Sequence, residues 1–109
     1  MKYIIVAKTT ELSRGEKTKV TLENKEILLV NIEGAYYAVD NKCPHMGGSL
    51  NDGNLEGSNI VCPKHGSKFD VQTGKATQSG KMLFINVKVR DLQTYPVKIE
   101  GTDILVGIE

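Results

Sequence analysis

Along most of the chain, apolar and polar positions fall into short runs rich in β-branched residues. Tyr3 to Lys8, Thr18 to Leu22 and Glu26 to Ile32 predict three strands, the last two separated by Asn24-Lys25. Ala35 to Val39 predicts a fourth, entered through a hairpin corner at Gly34. Further on, Thr94 to Glu100 and Asp103 to Ile108 read as two strands joined by Gly101-Thr102. No segment sustains a 3.6-residue apolar period with a cap at each end, so no helix is predicted. Many short strands at close spacing predict an all-β fold, a sandwich or barrel.

Residues 81–91 carry a clear alternation. Leu83, Ile85, Val87 and Val89 are apolar in step, with Phe84, Asn86, Lys88 and Arg90 between them. This predicts a strand with one buried face, added to the β base. The alternative is a projecting hairpin that presents Phe84 or Met82 to a partner. No internal repeat and no low-complexity tract is present.

The stretch from 41 to 80 differs from its flanks. It holds seven of the eleven glycines and two of the three prolines. That density suits tight loops whose backbone approaches something closely. We read it as a loop-rich subdomain set on the β base, within one domain spanning 1–109.

Composition narrows the possibilities. At 109 residues, 39% apolar and 25% charged, the chain has the balance of one ordinary globular domain. A net charge of +1 argues against nucleic acid as a partner. Apolar stretches such as Ile4-Ile5-Val6-Ala7 fall far short of a membrane span, and the start is too short in apolar residues for a secretory signal. The expectation is a cytoplasmic protein with no membrane contact.

The two cysteines and two histidines change the picture. They stand as Cys43-Pro44-His45 and Cys62-Pro63-Lys64-His65, within 23 residues, and neither residue type occurs elsewhere. Thiolates and imidazoles are the usual ligands of zinc, copper and iron–sulfur centres, and two paired loops can close on one centre from opposite sides. Pro44 and Pro63 stiffen the loops, and Gly47, Gly48 and Gly66 follow the histidines closely, letting backbone N–H groups turn inward. A structural zinc site would accept the same four ligands, though zinc fingers pair cysteines first and histidines second. A Cys43–Cys62 disulfide would leave the histidines unexplained, and a Cys–His nucleophile lacks any visible oxyanion-hole motif.

The segments Cys43-Pro-His45-Met-Gly-Gly-Ser-Leu and Cys62-Pro-Lys-His65-Gly-Ser-Lys-Phe-Asp, with sixteen residues between His45 and Cys62, closely resemble the Rieske [2Fe–2S] ferredoxin family. The resemblance extends through Tyr36 to Asp40, Gly53 to Gly57, Asp70 to Gly74 and Tyr95 to Gly101. It implies one [2Fe–2S] cluster per chain, with Cys43 and Cys62 on the inner iron and His45 and His65 on the outer one. It also implies an antiparallel β base carrying a small cluster-binding subdomain, and a hydrogen bond to the centre from Ser67. Two ferric ions, two sulfides and two thiolates sum to neutrality, whereas two further thiolates would leave the site anionic. Neutral imidazoles therefore raise the potential, into a range of roughly −150 to +300 mV.

Departures from the family pattern point to a subtype. The positions of the inter-loop disulfide found in high-potential members correspond to Gly48 and Lys64, so it cannot form here. A tyrosine donor is replaced by Phe69, which places the potential in the lower or middle part of the range. Lys42, Lys64 and Lys68 pull the other way by putting positive charge nearby, on a segment that carries all the net charge and favours an acidic docking face. Phe69 also reads as plain core filling, and Met46 either as packing against the base or as an exposed apolar contact for partners. No proline occurs in 75–91, where many members place one over the cluster.

What the resemblance implies is a monomeric one-electron carrier, not an enzyme, shuttling between a reductase and an oxygenase or other terminal acceptor. The alternatives are a cluster-bearing small subunit of a larger oxidoreductase, as in nitrite reductases, and a zinc-stabilised interaction module.

Overall fold

The structure, a computed structural model, describes residues 1–44, 47–64, 66–78, 80–82, 85–87 and 90–109. It is built of strands: β1 (Lys2–Lys8), β2 (Lys17–Leu22), β3 (Lys25–Ile32), β4 (Ala35–Asp40), β5 (Asn54–Glu56), β6 (Asn59–Val61), β7 (Lys68–Asp70), β8 (Ala76–Gln78), β9 (Gly80–Met82), β10 (Ile85–Val87), β11 (Thr94–Tyr95), β12 (Val97–Glu100) and β13 (Asp103–Ile108). All the pairings are antiparallel. Among the described residues the only helical pieces are two single 3-10 turns, Thr9–Glu11 and Leu50–Asp52. None is long and apolar enough to cross a membrane. The all-β expectation holds.

Three sheets stack as layers. The outer one has the order β1-β13-β12, the central one β11-β4-β3-β2, and the third β5-β6-β7-β8. The central sheet is covered on both faces, and the sequence shows why. Ile27, Leu28, Leu29 and Val30 form an unbroken apolar run, and all four are fully buried. With side chains alternating along a strand, Ile27 and Leu29 enter one core with Ala38, Tyr95, Ile104, Val106 and Ile108. Leu28 and Val30 enter the other with Val39, Leu50, Ile60, Phe69 and both cysteines. The two candidate cysteine ligands thus grow out of a packed apolar layer.

Two-residue turns set the registers. Leu22 pairs with Lys25 across Glu23-Asn24, and Ile32 with Ala35 across Glu33-Gly34. All four turn residues have positive φ, which is the hand of turn that matches strand twist. Asn31, almost wholly buried, braces the second corner: its side chain accepts from the Gly34 N–H at 2.8 Å and donates to the Leu12 carbonyl at 2.9 Å.

Two expectations need correction. Thr94 to Glu100 is not one strand, because β11 pairs with β4 in the central sheet and β12 with β13 in the outer one. Pro96 makes the switch: it has no N–H for either ladder, and its carbonyl accepts from Gly107 N–H at 2.9 Å. Nor do residues 81–91 add a strand to the base. β9 and β10 pair with each other, Ile85 opposite Met82, as a separate two-stranded sheet. Leu83, Phe84, Lys88 and Val89 lie outside the described residues, so the buried face and the display of Phe84 or Met82 are not addressed.

Candidate metal centre

The two cysteine loops share one backbone pattern. In the first, the Cys43 N–H donates to the Gly48 carbonyl at 2.8 Å, and the Gly47 N–H returns to the Cys43 carbonyl at 2.8 Å. In the second, the Cys62 N–H donates to Ser67 O at 2.8 Å, and the Gly66 N–H to Cys62 O at 3.1 Å. Each cysteine therefore bonds to residues four and five positions on, despite the different spacing to its histidine. Gly47 and Gly66 occupy equivalent places with φ of 71° and 77°, where a side chain would be strained.

The loops lie against one another. Gly48 is buried, and a Cβ built there would sit 2.8 Å from Lys64 Cγ and 3.6 Å from Cys62 Sγ. Cys43 and Cys62 are 1% and 2% exposed, in the same apolar core, and no disulfide is formed among the described residues. His45 and His65 fall outside the described residues, as does Met46, so their expected roles are not addressed by the geometry. No group of three or more metal-binding side chains is complete among the described residues.

One buried atom points to an absent neighbour. Ser67 is 0% exposed, and its Oγ has no hydrogen-bond partner among the described residues. A buried hydroxyl left unsatisfied costs about 1–3 kcal/mol, so such a group normally has something to bond. Two buried thiols and a hydroxyl lacking an acceptor fit an electron-rich, sulfide-containing group.

The surroundings refine three expectations. Phe69 is fully buried beneath the loops in the cysteine core, which is the core-filling role. Lys68 lies 2.8 Å from Glu56 Oε1, so its charge is paired, whereas Lys42 and Lys64 are exposed. The segment after residue 90 closes on the core through Leu92, whose N–H donates to the Gly74 carbonyl at 2.7 Å.

Two supporting residues were missed by sequence reasoning. Asn41 is buried at the root of the first loop, with hydrogen bonds from every polar group of its side chain. Tyr95 donates to Asp40 Oδ1 at 2.6 Å, and the Gln93 N–H donates to Asp40 Oδ2 at 3.3 Å. Burial, reinforced by the Asp40 carboxylate, holds the Tyr95 phenol proton on well above its ordinary range. Tyr95 therefore remains a donor that ties β11 to the end of β4, three residues before Cys43. In the sequence, Asp40 and Tyr95 showed only as parts of segments that resemble the family, and Asp40-Asn41 also reads as a simple turn.

Comparison with known proteins agrees with this geometry. Residues 2–96 match the family described as Rieske [2Fe-2S] domain. The chain is 40% identical over 107 residues, covering 98% of its length and 96% of the relative's, to the ferredoxin component of the naphthalene 1,2-dioxygenase system of Pseudomonas aeruginosa. Among solved structures it is similar to the ferredoxin of carbazole 1,9a-dioxygenase from Nocardioides aromaticivorans, with a TM-score of 0.86 and 29% identity over the whole of both chains. A chain from a complex of reduced oxygenase and oxidized ferredoxin in carbazole 1,9a-dioxygenase shares the fold, with a TM-score of 0.81 and 23% identity over 95% of this chain and 91% of that one.

Proposed function

The chain belongs to the Rieske [2Fe–2S] domain family, and on that premise we propose that it is the ferredoxin of an oxygenase system, taking single electrons from a reductase and delivering them to the oxygenase. When bound, a [2Fe–2S] cluster supplies a centre that is reduced and reoxidised by one electron. The protein is a carrier, not a catalyst, and its own residues bind and tune that group.

Within this reading Cys43, His45, Cys62 and His65 are the ligands, and Ser67 donates a hydrogen bond to the centre. The observation that carries it is the matched pair of loops: two buried cysteines held by the same two backbone bonds, with the buried, unpartnered Ser67 hydroxyl on the second loop. Residues 41–80 make the cluster-binding unit of one domain spanning 1–109. Burial of both cysteines keeps water from the inner side of the site, while the exposed Lys42 and Lys64 leave a basic rim for an acidic partner face. Two buried cysteines outside any disulfide fit a reducing, cytoplasmic compartment.

The test is to purify the chain anaerobically, assay iron, sulfide and zinc, and record low-temperature EPR before and after dithionite. Equal iron and sulfide, with a rhombic signal of low average g appearing on one-electron reduction, are expected. The reduced protein, monomeric by size exclusion, should then reoxidise when mixed with a ring-hydroxylating oxygenase. Zinc without sulfide overturns the cluster, and failure to donate overturns the partner.

A further inference from the structure

The two cysteine loops share the same two backbone bonds at the cysteine but are closed differently at their bases. The second springs from a ladder: Val61 pairs with Lys68 and Ile60 with Phe69, so strand pairing holds its arms at the base. Among the described residues the first has no such ladder: β4 ends at Asp40, the isolated bridge Lys42–Ser49 joins the arms, and the returning arm turns at once into the 3-10 turn Leu50–Asp52.

The residue two positions before each cysteine shows how the difference is made up. In the second loop it is Ile60, an apolar core residue; in the first it is Asn41, and both are fully buried. The Asn41 side-chain amide donates to Ser49 Oγ at 2.9 Å and to Glu26 Oε1 at 3.4 Å, and its oxygen accepts from the Asn51 N–H at 2.9 Å. Its backbone N–H donates to the Glu26 carbonyl at 3.0 Å, and its carbonyl accepts from Leu50 N–H at 2.8 Å. One residue thus joins β3, the returning arm and the 3-10 turn. Both amide donors and the amide oxygen are used, which no aliphatic or acidic side chain reproduces.

We propose that Asn41 is the positioning residue of the first loop, its amide replacing the missing strand ladder and thereby fixing where Cys43 presents its sulfur. The inference rests on Cys43 being a cluster ligand. Asn41 acts through Cys43, so its loss changes the electronic surroundings and retention of the cluster as well as the stability of the fold.

The test compares Asn41→Ala and the isosteric Asn41→Asp with Ile104→Val, which weakens the other core. Each holo-protein is examined by EPR, voltammetry and rate of iron release to a chelator. Expected are g values and a midpoint potential displaced from wild type in Asn41→Ala, with iron release about tenfold faster or more. Asn41→Asp, which keeps the acceptor for Asn51 but loses both donors and sets a carboxylate against Glu26, should be displaced at least as far, and Ile104→Val should match wild type in all three. If Asn41→Ala does not fold, Ser49→Ala, which removes one of the three side-chain bonds, is expected to show the same displacement at smaller amplitude. Wild-type values in the Asn41 variants, or in Ser49→Ala where it substitutes for them, overturn the proposal. Cys43→Ser is measured alongside: an unaltered cluster spectrum there overturns the ligand reading instead.

Discussion

Gly48 and Lys64 face each other across the seam between the two cysteine loops, so closely that a Cβ on Gly48 would stand 2.8 Å from Lys64 Cγ. These are the positions at which family resemblance places the inter-loop disulfide of other members. Here a glycine and a lysine stem make the contact without a covalent bond. A double-mutant cycle measures it. Gly48→Ala alone should destabilise the protein by about 1–2 kcal/mol through overpacking. Lys64→Ala should relieve most of that cost, giving a coupling of about 1 kcal/mol in denaturant titrations. Additive effects would show that the loops move apart freely.

Ser67 yields a redox prediction. Ser67→Ala removes a hydroxyl that is buried without a partner, so the fold should lose little stability. If the hydroxyl bonds to the centre, the midpoint potential should fall by tens of millivolts, since a hydrogen bond of about 1 kcal/mol is worth on the order of 40 mV for one electron. Protein-film voltammetry on both proteins decides this, and an unchanged potential makes Ser67 a packing residue.

The histidine assignments are tested by changing charge. His45→Cys or His65→Cys adds an anionic ligand, and either the potential falls by on the order of 100 mV or more, or the cluster is lost. An unaltered spectrum with an unaltered potential in both variants would remove the histidines from the ligand set.

Tyr95 should leave a signature in the alkaline limb of stability. Its phenol pKa is raised in the folded state above the unfolded value of 10.0, first by burial and then by Asp40. The folded protein therefore holds this proton more tightly, and the stabilisation is whole below pH 10 and drains away as pH rises beyond it. Tyr95→Phe should cost about 1–2 kcal/mol at neutral pH and flatten the decline above pH 10. Urea titrations at pH 7 and pH 10.5 separate the two effects.

Iron removal is the remaining test. Both cysteines belong to the core shared by the central and third sheets, and their loops turn at glycines with positive φ. Chelation should therefore lower the melting temperature by several degrees or more, each kcal/mol lost being worth about 4–8 °C in a chain of this size. An apo-protein that melts with the holo-protein would show that the loops are held by the polypeptide alone.

Much of this architecture was legible in the sequence where local chemistry decides it. The run Ile27 to Val30 marks a strand, and Gly34 and Gly101 mark corners that the structure places at two-residue turns. The split at Pro96 was hidden, because a proline near a strand signals an edge as readily as a change of sheet. Residues 81–91 misled because alternation tells how a strand faces, not which strand it pairs with. Within the site, cysteine spacing announced both loops and Ser67 was picked out beside them. Asn41 was invisible for another reason: its partners Glu26 and Asn51 stand fifteen residues before and ten after it, and nothing local shows they converge. The roles of His45 and His65 rest on resemblance alone.

The doubly covered central sheet also decides which side of the molecule is electrically live. The cysteines lie in the core on one of its faces, and the outer β1-β13-β12 sheet packs on the other, with stacked sheets spaced about 10 Å apart. A protein resting on that outer sheet faces two layers of insulation before any centre held by Cys43 and Cys62. On the proposed reading, donor and acceptor then share the loop end, and the far side is the place for a tag, a tether or a surface attachment that leaves the traffic undisturbed.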